Sequence, residues 1–350
     1  MRSFVGDWWE RQRPTLQIAG QLRAIGELKG RAELYEHQAP QVLETLRQTA
    51  IIQSVESSNR IEGIVIPDRR LYTLVRGQDI PRTRSEAEIA GYRDVLNSIH
   101  TSATSIPLRP GVILQLHRDL FAPSDSPGGQ WKVTDNAIVE RRADGSIFTR
   151  FTPTPAFATA EAMATLCDGY RAINGTIEPL LLIPIVVLDF LCVHPFLDGN
   201  GRIARLLTLL LLYQHGYNVG RFISLERVIE GSRQTYYDAL YASSQGWHEG
   251  RHDPVPSWSY WLGTVVLAYR DFEERAGLLM RRRGAKTEFI LDAITRIPGD
   301  FTLRELQRNV PDVGIDLLRR VIRREREAGR LERIGNGPNA KWRRSDTHAE

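Results

Sequence analysis

The sequence predicts an all-α protein: a helical bundle carrying one short β-hairpin, followed by a C-terminal winged helix-turn-helix domain. Three observations predict it. Apolar residues recur at helical spacing through most of the 350-residue chain, the mark of helices with one buried face. One stretch, Trp131–Phe151, is instead rich in β-branched and aromatic residues and holds Asp144-Gly145, a strong hairpin-turn signal. The last fifth offers three short helical segments, a Gly/Asn/Pro turn and a basic strand, the order of a winged helix-turn-helix.

Taken in order, PQVLETLRQTAIIQSVESSNR (Pro40–Arg60) places Val42, Leu43, Leu46, Ala50, Ile51 and Val55 on one helical face. Arg84–His100, Gly111–Phe121 and Ala156–Asn174 read the same way. The hairpin follows the third of these helices and ends at Pro153 and Pro155. Leu180–Val193 and Leu206–Tyr213 are apolar all round, as expected of helices central to a bundle. RRRGAK (Arg281–Lys286) reads as a linker, with EFILDAITRI, FTLRELQRN, IDLLRRVIRREREAGRLERI and GNGPNAKWRR beyond it. The expected organisation is a helical region over 1–80 with a helix at about 40–63, a core over 81–275 with the hairpin at about 130–152, a linker over 276–285 and the winged domain over 286–345.

Composition is that of a globular protein, 42% hydrophobic and 25% charged. The net charge of +4 is uneven: Arg281–Glu350 holds 17 Lys+Arg against 11 Asp+Glu, leaving 29 against 31 elsewhere. The start, MRSFVGDWWERQRP, has no apolar signal-peptide core. Leu180–Val193 is interrupted by Pro184 and Asp189 and is too short for a bilayer span. Cys167 and Cys192 make no disulfide framework. The expectation is a cytoplasmic protein without membrane contact.

Between the two most apolar segments sits HPFLDGNGRIAR, His194–Arg205. Burying so much charge requires pairing or a ligand. Gly199-Asn200-Gly201 cannot comfortably continue a helix, so one helix should stop near His194 and another start near Gly201 or Arg202. The N–H groups at that start form a ready anion site, and the glycines let phosphate oxygens approach. Arg202 and Arg205, three residues apart, share a helix face and can add cationic contacts to a polyphosphate. Asp198 is a hard oxygen ligand suited to Mg²⁺ held jointly with phosphates, and His194 a base poised near neutrality. These parts suit phosphoryl or nucleotidyl transfer to a hydroxyl.

The stretch resembles the signature of the Fic family of protein AMP-transferases, His-Pro-Phe-x-Asp-Gly-Asn-Gly-Arg-x-x-Arg, at every specified position. The surrounding helices look like that family's all-α core over Pro40 to about Tyr269. The resemblance implies that His194 deprotonates a Ser, Thr or Tyr hydroxyl of a target protein, which then attacks the α-phosphate of ATP. It implies Asp198 as Mg²⁺ ligand, Gly199, Asn200 and Gly201 as the anion hole, Arg202 and Arg205 on the distal phosphates, and Phe196 as a core anchor. The related Doc branch departs from Gly-Asn-Gly-Arg and acts as a kinase; the full signature here favours AMP transfer.

Ser58-Asn59-Arg60-Ile61-Glu62-Gly63 resembles the family's inhibitory motif, Ser/Thr-x-x-x-Glu-Gly/Asn, lying upstream as in the N-terminally inhibited class. Glu62 would pair with Arg205 where the ATP γ-phosphate otherwise would. Ser58, four residues before it, is placed to steady the glutamate, and Gly63 reads as a helix C-cap. The hairpin lies where the family has a target-clamping flap. Lys132 of Gly129-Gln130-Trp131-Lys132 stands where many relatives have arginine. Tyr236, the first of a Tyr-Tyr pair, is a candidate adenine contact as well as a candidate core aromatic. His248 and His252 read as solvated loop residues without companion metal ligands.

On the C-terminal module, Arg319, Arg320, Arg323, Arg324 and Arg326 form a basic face fit for DNA, with Lys341, Arg343 and Arg344 on the wing and Glu325 and Glu327 diluting the charge. The expected function is AMP transfer from ATP with Mg²⁺, restrained by Glu62. The alternatives are removal of AMP by the same site, or a DNA-binding regulator with a nucleotide-sensing domain. The target stays open, as does assembly, a homodimer included.

Overall fold

The computed structural model describes residues 2–38, 40–141, 145–280, 285–311, 313–335, 337 and 340–345. Helix accounts for 65% of the structure, in 15 α-helices among the described residues, beside two small sheets.

The N-terminal helices are α1 (Trp8–Arg11), α2 (Leu16–Gln38), α3 (Pro40–Ile61) and α4 (Asp68–Val75). Next come α5 (Arg84–Ser102) and α6 (Pro110–Phe121), then the hairpin β1 (Ile138–Arg141) and β2 (Ile147–Phe151). α7 (Thr159–Ile173), α8 (Pro179–Val193), α9 (Asn200–Gln214), α10 (Leu225–Gly231), α11 (Arg233–Ser244) and α12 (Val255–Met280) complete the bundle. α8 and α9 are its centre. Leu182, Ile185, Val186 and Phe190 of α8 and Leu206, Leu209, Leu210 and Leu211 of α9 are all buried, as their all-round apolar sequences require. α3, α5 and α12 pack around them, and α2 lies along α12.

α12 runs through Met280, into the stretch expected as a linker, and 281–284 lie outside the described residues. Beyond them are α13 (Ala285–Arg296), β3 (Phe301–Thr302), α14 (Leu303–Asn309), α15 (Ile315–Glu327), β4 (Leu331–Ile334) and β5 (Lys341–Arg344). The strands pair antiparallel in the order β3-β5-β4. Phe289, Phe301, Leu306, Leu318, Ile322 and Leu331 fill the space between this sheet and the three helices. A capping box starts α14: Glu305 N–H donates to Thr302 Oγ1, and the Glu305 carboxylate accepts from Thr302 N. The expected Gly/Asn/Pro turn lies largely outside the described residues, as does Asp144 of the hairpin turn.

The hairpin is shorter than its β-branched composition suggests. Residues 131–137 form no strand, because their polar groups are engaged elsewhere: Lys132 N–H donates to Pro195 O, and Trp131 packs on Phe196. Among the described residues no helix is long and apolar enough to cross a membrane.

Candidate functional site

α8 ends where His194 adopts φ 50° and ψ 60°, a left-handed conformation rare for a residue with a side chain, and Pro195 blocks its continuation. α9 opens at Asn200 behind Gly199, whose φ of 80° suits glycine. The loop between is held from several sides. Asn200 Nδ2 donates to Phe196 O at 2.8 Å, and its Oδ1 accepts from Phe196 N at 3.0 Å. Phe196 is buried, stacked on His117 with ring centroids 3.7 Å apart. His117 Nδ1 accepts from Gly129 N, so its Nε2 carries the proton and donates to Asp198 O at 3.1 Å. Burial pushes the His117 pKa down to about 4, which keeps it neutral in this role. Lys132 Nζ donates to Val193 O at 3.0 Å and to Asn136 Oδ1 at 2.8 Å, while Asn136 Nδ2 reaches Phe196 O at 3.1 Å.

His194 Nδ1 lies 3.3 Å from Leu191 O, an atom that only accepts. Nδ1 therefore carries the proton and Nε2 is left as a base. Burial holds the His194 pKa down to about 4, so the imidazole is neutral at pH 7.

The loop and α9, with Arg205, form the floor of a cavity of about 730 Å³, lined also by Glu62, Tyr236, Tyr237, Tyr241 and Arg150 of β2. That size suits a nucleotide-sized ligand. Arg205 is 2% exposed; its Nε donates to Ser58 Oγ at 2.8 Å, and its second amino group to Ser58 O at 2.9 Å and Glu62 Oε1 at 2.7 Å. Glu62 ends α3 under a Schellman closure. Gly63, at φ 81°, donates to Arg60 O, and Ile64 N donates to Asn59 O. The carboxylate thereby sits at the start of α9, where a Cβ on Gly201 would collide with Glu62 Oε1. A negative group thus occupies the place where orphan N–H groups and the helix dipole favour one.

Three expectations change here. Ser58 bonds Arg205 instead of steadying Glu62. Arg202 does not join Arg205 at the cavity: it is 1% exposed, paired with Glu88 Oε2 at 2.6 Å and lying over the Phe121 ring. The expectation for Asn200 does not change: its side chain is consumed by the loop, and the residue still lines the cavity. His252 is buried, not solvated, stacked on Trp8 and bonded to Ser3 Oγ, and among the described residues no cluster of three or more His, Cys, Asp or Glu could hold a metal. Tyr236 is the core aromatic that its sequence allowed, buried against Tyr237, Tyr260 and Trp261, and it also lines the cavity.

Asp198 is exposed; its Oδ1 accepts from Gly199 N at 2.6 Å, and Arg84 and Arg202 lie at 3.5 Å. It lines the cavity together with Glu62 and Glu140, and one carboxylate from Asp198 is a donor set that fits Mg²⁺ only if phosphate oxygens complete the shell. Sequence reasoning missed Glu88, His117 and Asn136, whose roles depend on partners far along the chain.

Residues 107–212 match the model of the Fic/DOC family. The fold is similar to that of a Fic family protein from Desulfovibrio desulfuricans G20, at 21% identity and TM-score 0.62, over 97% of this chain and 100% of that one. It is similar to a Fic domain containing signaling protein from Bacteroides thetaiotaomicron VPI-5482, at 20% identity and TM-score 0.61, over 73% and 98%. A Fic-1 fragment from C. elegans matches at 21% identity and TM-score 0.58, over 73% and 72%. Residues 107–212 are therefore a Fic/DOC family domain, set within a larger helical body that shares its fold with Fic proteins.

Proposed function

We propose that this protein transfers AMP from ATP to a Ser, Thr or Tyr hydroxyl of a target protein, and that Glu62 restrains it. Fic domains typically carry out AMPylation or related nucleotidyl transfer. The observation that carries the proposal is the Glu62 carboxylate on Arg205 over the start of α9, a phosphate-like group inside the same cavity as His194. In the proposed reaction His194 Nε2 takes the hydroxyl proton as the hydroxyl oxygen bonds to the α-phosphorus. The bond from that phosphorus to the bridging oxygen breaks, and pyrophosphate leaves. The N–H groups at the start of α9 and the freed Arg205 hold phosphate oxygens. Asp198 is the residue that would hold Mg²⁺, which when bound offsets polyphosphate charge.

The test uses ATP labelled at the α- or the γ-phosphate with wild type, Glu62→Gly and Glu62→Gly/His194→Ala. Protein-bound α-label, strong in the single variant and absent from the double, supports the proposal. Bound γ-label makes the protein a kinase, and no label in any variant favours AMP removal.

A second activity is proposed for the C-terminal unit, as a winged helix on duplex DNA. Arg319, Arg320, Arg323, Arg324 and Arg326 of α15 are all exposed, while the buried Glu325 pairs with Arg330 and with Arg324. Arg343 is engaged by Asp300, which leaves Lys341 the more available strand cation. Binding that weakens steeply with salt and is lost in Arg319→Ala/Arg323→Ala supports this; salt-insensitive binding or none removes it.

A further inference from the structure

We propose that α14 of the C-terminal unit is a clip on the inhibitory segment, with Arg308 positioning Glu62. The inference rests on the reading of Glu62 as a restraint. Arg308 is 16% exposed and reaches back across the chain to two carboxylates. One amino group meets Glu56 Oε1 at 2.7 Å, and the other meets Asp68. Glu56 lies on α3 before Glu62, and Asp68 opens α4 after it. One guanidinium therefore ties together both limbs of the turn that carries Glu62.

The clip is buried at its Glu56 end and reinforced there. Glu56 is 9% exposed and also pairs with Arg60, which in turn reaches Glu230 of α10 at 3.1 Å. Beside it, Tyr72 of α4 donates to Gln307 O at 3.2 Å, so α14 presents two adjacent residues to the same segment. A buried cation with two carboxylates is strongly oriented, and removing it leaves Glu56 with less compensation in a site poorly reached by water. The last turn of α3 then loses one of its anchors, and Glu62 leaves Arg205 more often. The α14 side of this contact sits in the same small unit as α15, so displacement of that unit bears directly on the catalytic cavity.

The test pairs two readouts on full-length protein. Hydrogen exchange reports the clip: in Arg308→Ala, and more weakly in Asp68→Asn, the amides of residues 57–66 should exchange faster, while those of α8 and α9 stay as in wild type. Transfer of α-label reports its consequence, with a rise of about two- to 150-fold in Arg308→Ala, the range over which contacting residues couple. The same substitution made in Glu62→Gly should give no further rise. Unchanged exchange at 57–66 overturns the clip. Faster exchange together with an equal rise in the Glu62→Gly background overturns the route through Glu62. Faster exchange in a protein that Glu62→Gly fails to activate refutes the restraint and leaves the clip as a structural contact. Asp68→Asn lies outside the C-terminal unit and keeps the test valid if Arg308→Ala disturbs that unit's fold.

Discussion

Replacing Glu62 with Gln separates charge from volume at the restraint. The two Ser58 groups on Arg205 are neutral, so the formal charge of this buried guanidinium is met by Glu62 at 2.7 Å. With charge centres about 4 Å apart and an effective dielectric of about 20, their attraction is about 4 kcal/mol. Desolvating the pair and ordering the glutamate oppose it, leaving about 1.5–3 kcal/mol, the usual worth of a hydrogen bond to a charged group. Glutamine keeps the shape and a neutral hydrogen bond worth about 1 kcal/mol. The loss of about 0.5–2 kcal/mol should raise transfer about 2- to 30-fold at limiting ATP, at tenfold per 1.4 kcal/mol. Glycine forfeits the whole interaction and clears the carboxylate from Gly201, so its rise should be about 10- to 150-fold. Initial rates of α-label incorporation below the KM for ATP measure both, with His194→Ala in each background as blank. A glutamine variant as slow as wild type beside a fast glycine variant would refute the ionic argument and leave occlusion as the restraint.

Three further outcomes are expected. Because burial holds His194 near pKa 4 against an ordinary 6.5, its neutral form persists in acid; kcat/KM of Glu62→Gly should stay level from about pH 8 to about pH 5, and a fall centred near 6.5 would sink the buried-base assignment. Burial likewise lowers the Lys132 pKa from 10.5 to about 8, so between these values the unfolded chain binds more protons and stability should rise with pH. Denaturant midpoints of Lys132→Met should lack that rise, and parallel curves for the two proteins would exclude the lysine as its source. Gly201→Ala places a methyl group where the anion lies, so in the Glu62→Gly background it should lower transfer about tenfold or more, and undiminished transfer would move the phosphates elsewhere.

What the sequence made legible was local. Two apolar runs, His-Pro and a Gly-Asn-Gly step suffice to place α8, the loop and α9, since each residue acts on its own backbone. The ion pair between Glu62 and Arg205 spans 143 positions and was reached only through resemblance to a known signature. Helical spacing misjudged Arg202 because residues three apart differ by about 60° around the axis. That angle turns Arg202 towards Glu88 and Phe121, and Arg205 towards Ser58 and Glu62. His252 looked solvated because its sequence neighbours are polar, whereas its burial is supplied by Trp8 and Ser3 from the far end of the chain. Residues 131–137 have strand composition but lend their groups to the motif loop, an instance of tertiary contacts overriding propensity.

The polar groups around the cavity divide by what they are free to do. Lys132, Asn136, Asn200, His117 and Glu88 are committed to backbone atoms of the loop or to Arg202. They hold His194 in a left-handed conformation that it would not otherwise keep. Left facing the cavity are His194 Nε2, the first N–H groups of α9, Asp198 and Arg205 behind Glu62. On the proposed function, the groups that act on ATP are therefore in place before any ligand arrives, apart from one side chain. Glu62 is held at the end of its helix: it is 31% exposed, closes that helix and precedes a glycine turn. Activation on this reading requires no rebuilding of the loop, only withdrawal of one carboxylate. That is why the contacts bracketing Glu62, at Glu56 and Asp68, are the places where a signal from outside the cavity can act.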